Sequence, residues 1–128
     1  MAQTASPNPQ YRLDPMDAEQ LRHDLQTAAE VVLNNGLTSR GIGGAWVGKH
    51  APVSIPGALN IAIFGDVQVT STDECQIHRK NLAIDILDLA NNGAPVTLWN
   101  ADGKSTGPEA IDLLQRARRL VYDLIAID

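Results

Sequence analysis

Two stretches of helical periodicity, one near each end of the chain, constrain the fold more than any other feature of the sequence. The first repeats at steps of four, three and four residues and consists of Leu21, Leu25, Ala28 and Val32. Asp14 suits the cap before a helix and Pro15 suits its first turn. Asn34-Asn35-Gly36 then offers a left-handed stop. The pattern predicts a helix from Pro15 to about Asn34.

The second stripe lies in the C-terminal part of the chain. It repeats at steps of four, three, four and three residues and consists of Ala110, Leu114, Ala117, Val121 and Leu124. Gly107-Pro108-Glu109 supplies the start of this helix. A helix with one wide apolar stripe must bury it, so the two predicted helices imply a shared core.

A different period separates the two stripes. Apolar residues of one parity alternate with more polar ones, and they are Leu59, Ile61, Ile63, Val67 and Val69. Period-two alternation is typical of a half-buried strand, which we expect over Ala58 to Thr70. Shorter strands are predicted at Ala45-Trp46-Val47 and Val53-Ser54-Ile55, inside a segment rich in glycine and proline.

Residues 76–92 fit two interpretations. As a strand, Leu82, Ile84 and Ile86 face one way, and Asn92-Gly93 makes a hairpin turn. As a helix, Leu82, Ile86 and Leu89 share a face, Ser71 to Glu74 has capping-box spacing, and Gly93 ends the helix. Local chemistry favours neither interpretation over the other.

Length and composition exclude several classes of protein. A chain of 128 residues is one domain of ordinary size. Its net charge of −5 argues against nucleic acid as a partner, because phosphate binding needs clustered Lys and Arg. A single cysteine excludes a disulfide framework. We expect no membrane span, because no apolar run is long enough, and no signal peptide, because the first ten residues lack an apolar core.

None of the sequence motifs that could bind a ligand or catalyse a reaction is complete. Gly103-Lys104-Ser105-Thr106 resembles the end of a phosphate-binding loop but lacks the upstream glycine, so we interpret it as a turn and helix cap. Arg40 to Gly44 lies in the wrong context for a dinucleotide loop. Cys75 and His78 make half a metal site at most, and Asp85 and Asp88 are expected on a solvated face. We predict no catalytic residue, no cofactor and no metal site.

Charged and aromatic residues suggest contact surfaces instead. Arg116, Arg118 and Arg119 form a basic group on the last helix, which is either a solvated face or a contact for carboxylates of a neighbouring subunit. Asp17 and Glu19 are candidate carboxylates for that contact. Tyr11 and Trp46 are candidate anchors. These seven residues form our predicted interface.

The order of these elements resembles the tail-terminator, or tail-completion, proteins of long-tailed bacteriophages. The resemblance covers Pro15 to Ile127, with Pro56 to Ile63 in place of the central strand and Pro108 to Ile125 in place of the closing helix. It carries no motif. It implies an α/β fold of the α+β type, a small twisted, mostly antiparallel sheet covered by two or three helices. Independently of the resemblance, residues 1–13 are polar and contain Pro7 and Pro9, which predicts a flexible arm, and residues 14–128 are predicted to form a single domain.

The function that this resemblance implies is structural. The chain is expected to be a non-enzymatic subunit of a homo-oligomeric ring that joins a phage tail to its head, with other virion proteins as partners. Its location is then the virion, or the cytoplasm if the chain is not phage-encoded. Two alternatives stay open: a small anion- or nucleotide-binding domain that uses Arg40 to Gly44 and Gly103 to Thr106, and an accessory subunit of a cytoplasmic complex.

Overall fold

Four α-helices make up most of the described structure. The computed structural model describes residues 13–38, 52–65, 72–100 and 105–124. The helices are α1 (Pro15–Asn35), α2 (Ile55–Phe64), α3 (Glu74–Ala90) and α4 (Gly107–Leu124), with a 3-10 helix at Val96–Leu98. Helical residues account for 78% of the described chain and no sheet is present in it. The predicted α/β fold with a twisted, mostly antiparallel sheet is therefore wrong for this part of the molecule.

The first helix follows the prediction to within one residue. Asp14 occupies the cap position, and its carbonyl accepts a hydrogen bond from the Ala18 N–H at 2.8 Å. Gly36 ends the helix with a φ of +89°, a value that side chains strongly disfavour. Its N–H donates to the Val32 carbonyl at 2.9 Å. Gly36 therefore marks the end of α1, whereas at its start Pro15 occupies the first turn and the Asp14 side chain makes no capping hydrogen bond.

The predicted strand over Ala58 to Thr70 is instead the helix α2 as far as Phe64, and residues 66–70 lie outside the described ranges. The Ser54 hydroxyl accepts a hydrogen bond from the Gly57 N–H at 3.1 Å, which caps the first turn. Gly65 ends the helix in the left-handed region, with a φ of +82°. These two signals outweigh the alternating pattern between them.

The alternation is misleading because apolar residues fill almost every position of this segment, so that it satisfies a period of 3.6 as well as a period of two. The buried side chains include Ile55, Ala58, Leu59 and Ile63, which share one helix face. Ile61 belongs to the predicted strand parity but is only half-buried. The predicted strand at Val53 to Ile55 is also wrong, because Val53 makes only an isolated parallel bridge with Leu37. The predicted strand at residues 45–47 lies outside the described ranges.

Of the two interpretations of residues 76–92, the structure selects the helix. The Asp73 carboxylate accepts hydrogen bonds from the N–H groups of Cys75 at 2.8 Å and Gln76 at 3.2 Å, which caps α3. After α3, Asn92 and Gly93 have positive φ values of 60° and 85°, in a turn that reverses the chain. The buried residues of α3 are Ala83, Ile86 and Leu87.

The last helix confirms the prediction, and its start explains the incomplete phosphate-loop motif. The Glu109 carboxylate accepts from the Thr106 N–H at 2.7 Å, and the Thr106 hydroxyl accepts from the Glu109 N–H at 3.3 Å. This reciprocal pair is a capping box. The Ser105 N–H donates to the Asn100 side-chain oxygen at 2.7 Å. The described end of the motif therefore serves as a turn and a cap.

The helices pack around α1, which contacts each of the other three. The Leu13 N–H donates to the Leu124 carbonyl at 2.7 Å, so the start of α1 lies beside the end of α4 and the two helices are antiparallel. Leu25 and Ala28 of α1 are fully buried, as are Leu113 and Leu114 of α4. This packing fixes which sides of α1 remain available to polar groups.

A pair of substitutions in α2 tests its helical state. Leu59→Ala should lower the free energy of unfolding by about 2–5 kcal/mol, because this side chain is fully buried. Ile61→Ala should cost only about 1–2 kcal/mol, because Ile61 is half-buried. Urea denaturation monitored by circular dichroism measures both. A strand with Leu59 and Ile61 on the same buried face would make the two costs similar.

Candidate functional site between α1 and α4

Five of the seven residues of the predicted interface lie in the described part of the chain. Tyr11 and Trp46 lie outside the described ranges. Asp17 and Glu19 lie on the first turns of α1, where Asp17 is half-buried and Glu19 is exposed. Arg116 and Arg119 of α4 are exposed, whereas Arg118 is half-buried. The structure therefore separates Arg118 from the other two arginines of the predicted basic group.

Arg116 has a local role. Its Nε donates to the Asp112 carboxylate at 3.1 Å, one helical turn away, and its Nη1 donates to the Ala90 carbonyl at 3.3 Å. The second bond joins α4 to the last residue of α3. Arg116 is thereby partly satisfied within its own chain, and an exposed pair of this kind contributes little to stability.

Arg118 lies in the groove between α4 and α1, at the end of a chain of polar side chains. Its Nη1 donates to the Gln115 side-chain oxygen at 2.6 Å, and the Gln115 amide donates to the Gln26 oxygen at 3.3 Å. Gln26 in turn donates to the Glu30 carboxylate at 3.0 Å. This chain of hydrogen bonds crosses from one helix to the other and positions the guanidinium of Arg118.

Arg22 of α1 is held by an aromatic ring. Its Cζ lies 4.2 Å from the centroid of the Tyr122 ring, in a cation–π contact between α1 and α4. Stacking on the ring restrains the planar guanidinium of Arg22 without neutralising its charge. A guanidinium restrained in this way loses less entropy when it binds a carboxylate.

The two arginines line one shallow cleft. Its walls are Glu19, Arg22, His23, Gln26 and Arg118, and its volume is about 240 Å³. The Nε atoms of Arg22 and Arg118 are buried and lack a hydrogen-bond partner within the described residues. Neither arginine forms an ion pair in that part of the chain, although Glu19 lies on the same wall. We call this feature the arginine cleft.

The arginine cleft suits a small acidic group. Guanidinium groups bind carboxylates through their N–H donors, and the guanidinium-bearing side chains of Arg22 and Arg118 both line the cleft. The cleft is smaller than the roughly 300–1,000 Å³ typical of pockets for cofactors and drug-sized ligands. It is large enough for the end of an Asp or Glu side chain. Exposed Tyr122 and exposed Met16 flank this region of α1 and α4, and such residues are enriched at protein interfaces.

A second polar site, on the opposite side of α1, has a structural role. Asp24 is fully buried and accepts two hydrogen bonds from Arg79 of α3, from Nε at 3.1 Å and from Nη2 at 2.7 Å. Gln20 donates a third at 3.0 Å. The bond to Asp24 is the main cause that raises the pKa of Arg79 above its ordinary value. The sequence analysis did not predict this pair. The signal in the sequence was the position of Asp24, a carboxylate on the same helix face as the apolar stripe.

Asp85 and Asp88 are half-buried, which corrects their predicted place on a solvated face. The Asp88 carboxylate accepts from the Val96 N–H at 2.7 Å and holds the 3-10 helix against α3. Burial raises the pKa of Asp85, and the neighbouring charge of Asp88 raises it further. Burial likewise lowers the pKa of Lys80, on the same helix. Of these three groups, Asp88 supports the fold around α3 through its hydrogen bond to Val96.

The remaining candidate groups stay separate. Cys75 is exposed, and the His78 Nε2 lies 3.7 Å from the Asp17 carboxylate of α1. Among the described residues, no three His, Cys, Asp or Glu side chains converge as a metal site requires. Arg40 to Gly44 and residues 101–104 lie outside the described ranges. None of the described helices is both long and apolar enough to cross a membrane.

Comparison with known proteins gives no relative from which a role can be transferred. No protein-family model matches the chain, and no curated protein or solved structure is significantly similar to it. Function is therefore inferred from the chemistry of the described residues.

The buried pair predicts an asymmetry between its two partners. Arg79→Met should lower the free energy of unfolding by about 3–5 kcal/mol, because it leaves the carboxylate of Asp24 buried without its counter-ion. Asp24→Asn should cost less, about 1–3 kcal/mol, because the side chain of Arg79 is 29% exposed and reaches water. Denaturant unfolding of both variants, with Arg119→Met as an exposed control, measures the difference. Equal costs would contradict the asymmetry.

The raised pKa of Asp85 predicts a pH-dependent stability. Folding favours the neutral carboxyl, so its stabilising contribution is complete below the ordinary value of 3.8 and is lost as the pH rises through the folded value. Asp85→Asn should therefore stabilise the fold at pH 7 by less than about 1 kcal/mol. Thermal unfolding between pH 3 and pH 7 should show this gain shrinking towards acid, and exposed Asp123→Asn serves as control. A gain independent of pH would refute the assignment.

Proposed function

We propose that the chain is a subunit of a homo-oligomeric assembly, and that its arginine cleft binds an acidic side chain of a neighbouring copy. The observation that carries the proposal is the pair of guanidinium groups, Arg22 and Arg118, that have no ion-pair partner within the described residues. Arg79 provides the contrast, because its partner Asp24 already satisfies it.

The charge of the chain supports a copy of itself as the occupant. The sequence has 15 acidic residues and 10 Lys and Arg residues. A second copy therefore offers many carboxylates to the arginine cleft. The size of the cleft, about 240 Å³, matches the end of one such side chain.

The ring and its place in a phage tail are more specific forms of this proposal. They remain predictions of the sequence. The resemblance to tail terminators drew partly on a central strand at Pro56 to Ile63, and that segment is helical as part of α2. The support for assembly comes from the arginine cleft and is independent of that resemblance.

A small free anion is the alternative occupant, and it follows from the same two guanidinium groups. The sequence suggested the loops at Arg40 to Gly44 and Gly103 to Thr106 as anion-binding sites. In this alternative the arginine cleft is the anion-binding site instead. Free succinate or phosphate should then raise the melting temperature of the protein, and Arg22→Gln should abolish this effect. Assembly predicts no such stabilisation beyond that of sodium chloride at equal ionic strength.

The mass of the wild-type protein in solution tests the proposal. We expect native mass spectrometry and light scattering to give a multiple of 13.8 kDa that decreases as the salt concentration rises, because salt screens exposed charge pairs. Measurements across a hundredfold range of protein concentration separate association from aggregation. A monomer under every condition would overturn the proposal.

A further inference from the structure

Charged side chains of α1 point to two different sides of the helix. Asp17 and Asp24 are seven residues apart and point in nearly the same direction, towards α3, as their contacts with His78 and Arg79 show. Arg22 points about 140° away from Asp17 at 100° per residue, towards Tyr122 of α4. We call the side of α1 that carries Asp17 and Asp24 and faces α3 the acidic side.

The acidic side has accessible carboxylates. The Asp17 side chain is 47% exposed although it lies near His78. Glu74 is exposed and lies one turn before His78 on the same face of α3. Asp14 is exposed, one turn before Asp17. We call Asp14, Asp17 and Glu74 the acidic flank.

We propose that the arginine cleft of one copy binds the acidic flank of the next, in a head-to-tail contact. This inference rests on the proposed function and adds the reciprocal surface and the geometry. Because the two surfaces lie on opposite sides of α1, each copy uses its cleft on one neighbour and its flank on another. Such a heterologous contact continues beyond two chains and closes as a ring or extends as a filament.

The two surfaces complement each other in chemistry as well as in charge. A guanidinium such as that of Arg22 can bind a carboxylate through its two Nη groups, and Arg118 adds a second cation in the same cleft. Exposed ion pairs alone contribute little. Met16, which is 78% exposed, and Tyr122, which is 55% exposed, supply apolar area near the cleft that the contact can bury.

Neutral variants of each surface test the contact. The cleft variant carries Arg22→Gln and Arg118→Gln, and the flank variant carries Asp14→Asn, Asp17→Asn and Glu74→Gln. The matched control carries Arg116→Gln and Arg119→Gln, which removes the same charge from α4 outside the cleft. Circular dichroism and thermal unfolding of each variant establish that it is folded before its mass is measured.

Each surface variant should associate at least about tenfold more weakly than the wild-type protein, and the control should assemble like it. An equimolar mixture of the two variants should form mixed dimers that contain one chain of each variant. The reason is that the flank variant keeps an intact cleft and the cleft variant keeps an intact flank, so each pair can make one contact and no more. Native mass spectrometry distinguishes these mixed dimers, since the two variants differ in mass.

Three results would overturn the inference. If the cleft variant assembles like the wild-type protein, the cleft is not part of the contact, although the protein is still a homo-oligomer. A mixture without mixed dimers would remove the pairing of cleft with flank. A wild-type assembly that stops at two chains would exclude the head-to-tail geometry. A monomeric wild-type protein is a separate outcome, and it overturns the proposed function itself.

Discussion

The burial of one wide apolar stripe on α1 is the constraint on which the rest of the described structure depends. α1 contacts all three other helices, and Leu25 and Ala28 on its inner face are completely buried. Polar side chains of α1 meet neighbouring helices along two margins, one at Asp24 and one at Arg22. One margin meets α3 and the other meets α4, so the chemistry of the molecule is concentrated along them.

The margin towards α3 is electrostatically complete. Asp24 accepts hydrogen bonds from Arg79 and Gln20, which compensates much of the cost of burying a carboxylate. A buried pair of this kind adds little net stability over an apolar pair, but it penalises any packing of α3 that separates the two charges. The pair therefore determines the orientation in which α3 packs on α1, and it contributes less to the free energy of that packing.

On the margin towards α4, by contrast, the charged groups have no counter-ion within the described residues. Arg22 rests on Tyr122, and Arg118 is held by Gln115, so both cations are positioned by neutral groups. Neutral neighbours restrain a guanidinium without neutralising it, and its charge stays available to an external carboxylate. The difference between the two margins is the physical basis for assigning a structural role to one and a binding role to the other.

The sequence by itself determined α1 and α4, because their ends depend on local caps and their apolar stripes have one period only. It left α3 open and misassigned α2, because a segment apolar at nearly every position fits the periods of both a helix and a strand. Helix caps at Ser54 and Asp73 favour the helix in both cases. In α2, tertiary packing then buries Leu59 and leaves Ile61 half-exposed.

The candidate site divides in the same way. The sequence identified Arg118 as a charged residue on a helix, but grouped it with Arg116 and Arg119. Only the antiparallel packing of α1 and α4 brings Arg22 onto Tyr122, a hundred positions later in the chain. Caps and stripes are properties of neighbouring residues and can be read locally. Pairings across such a distance depend on how whole helices bury their apolar faces, which only the folded structure decides.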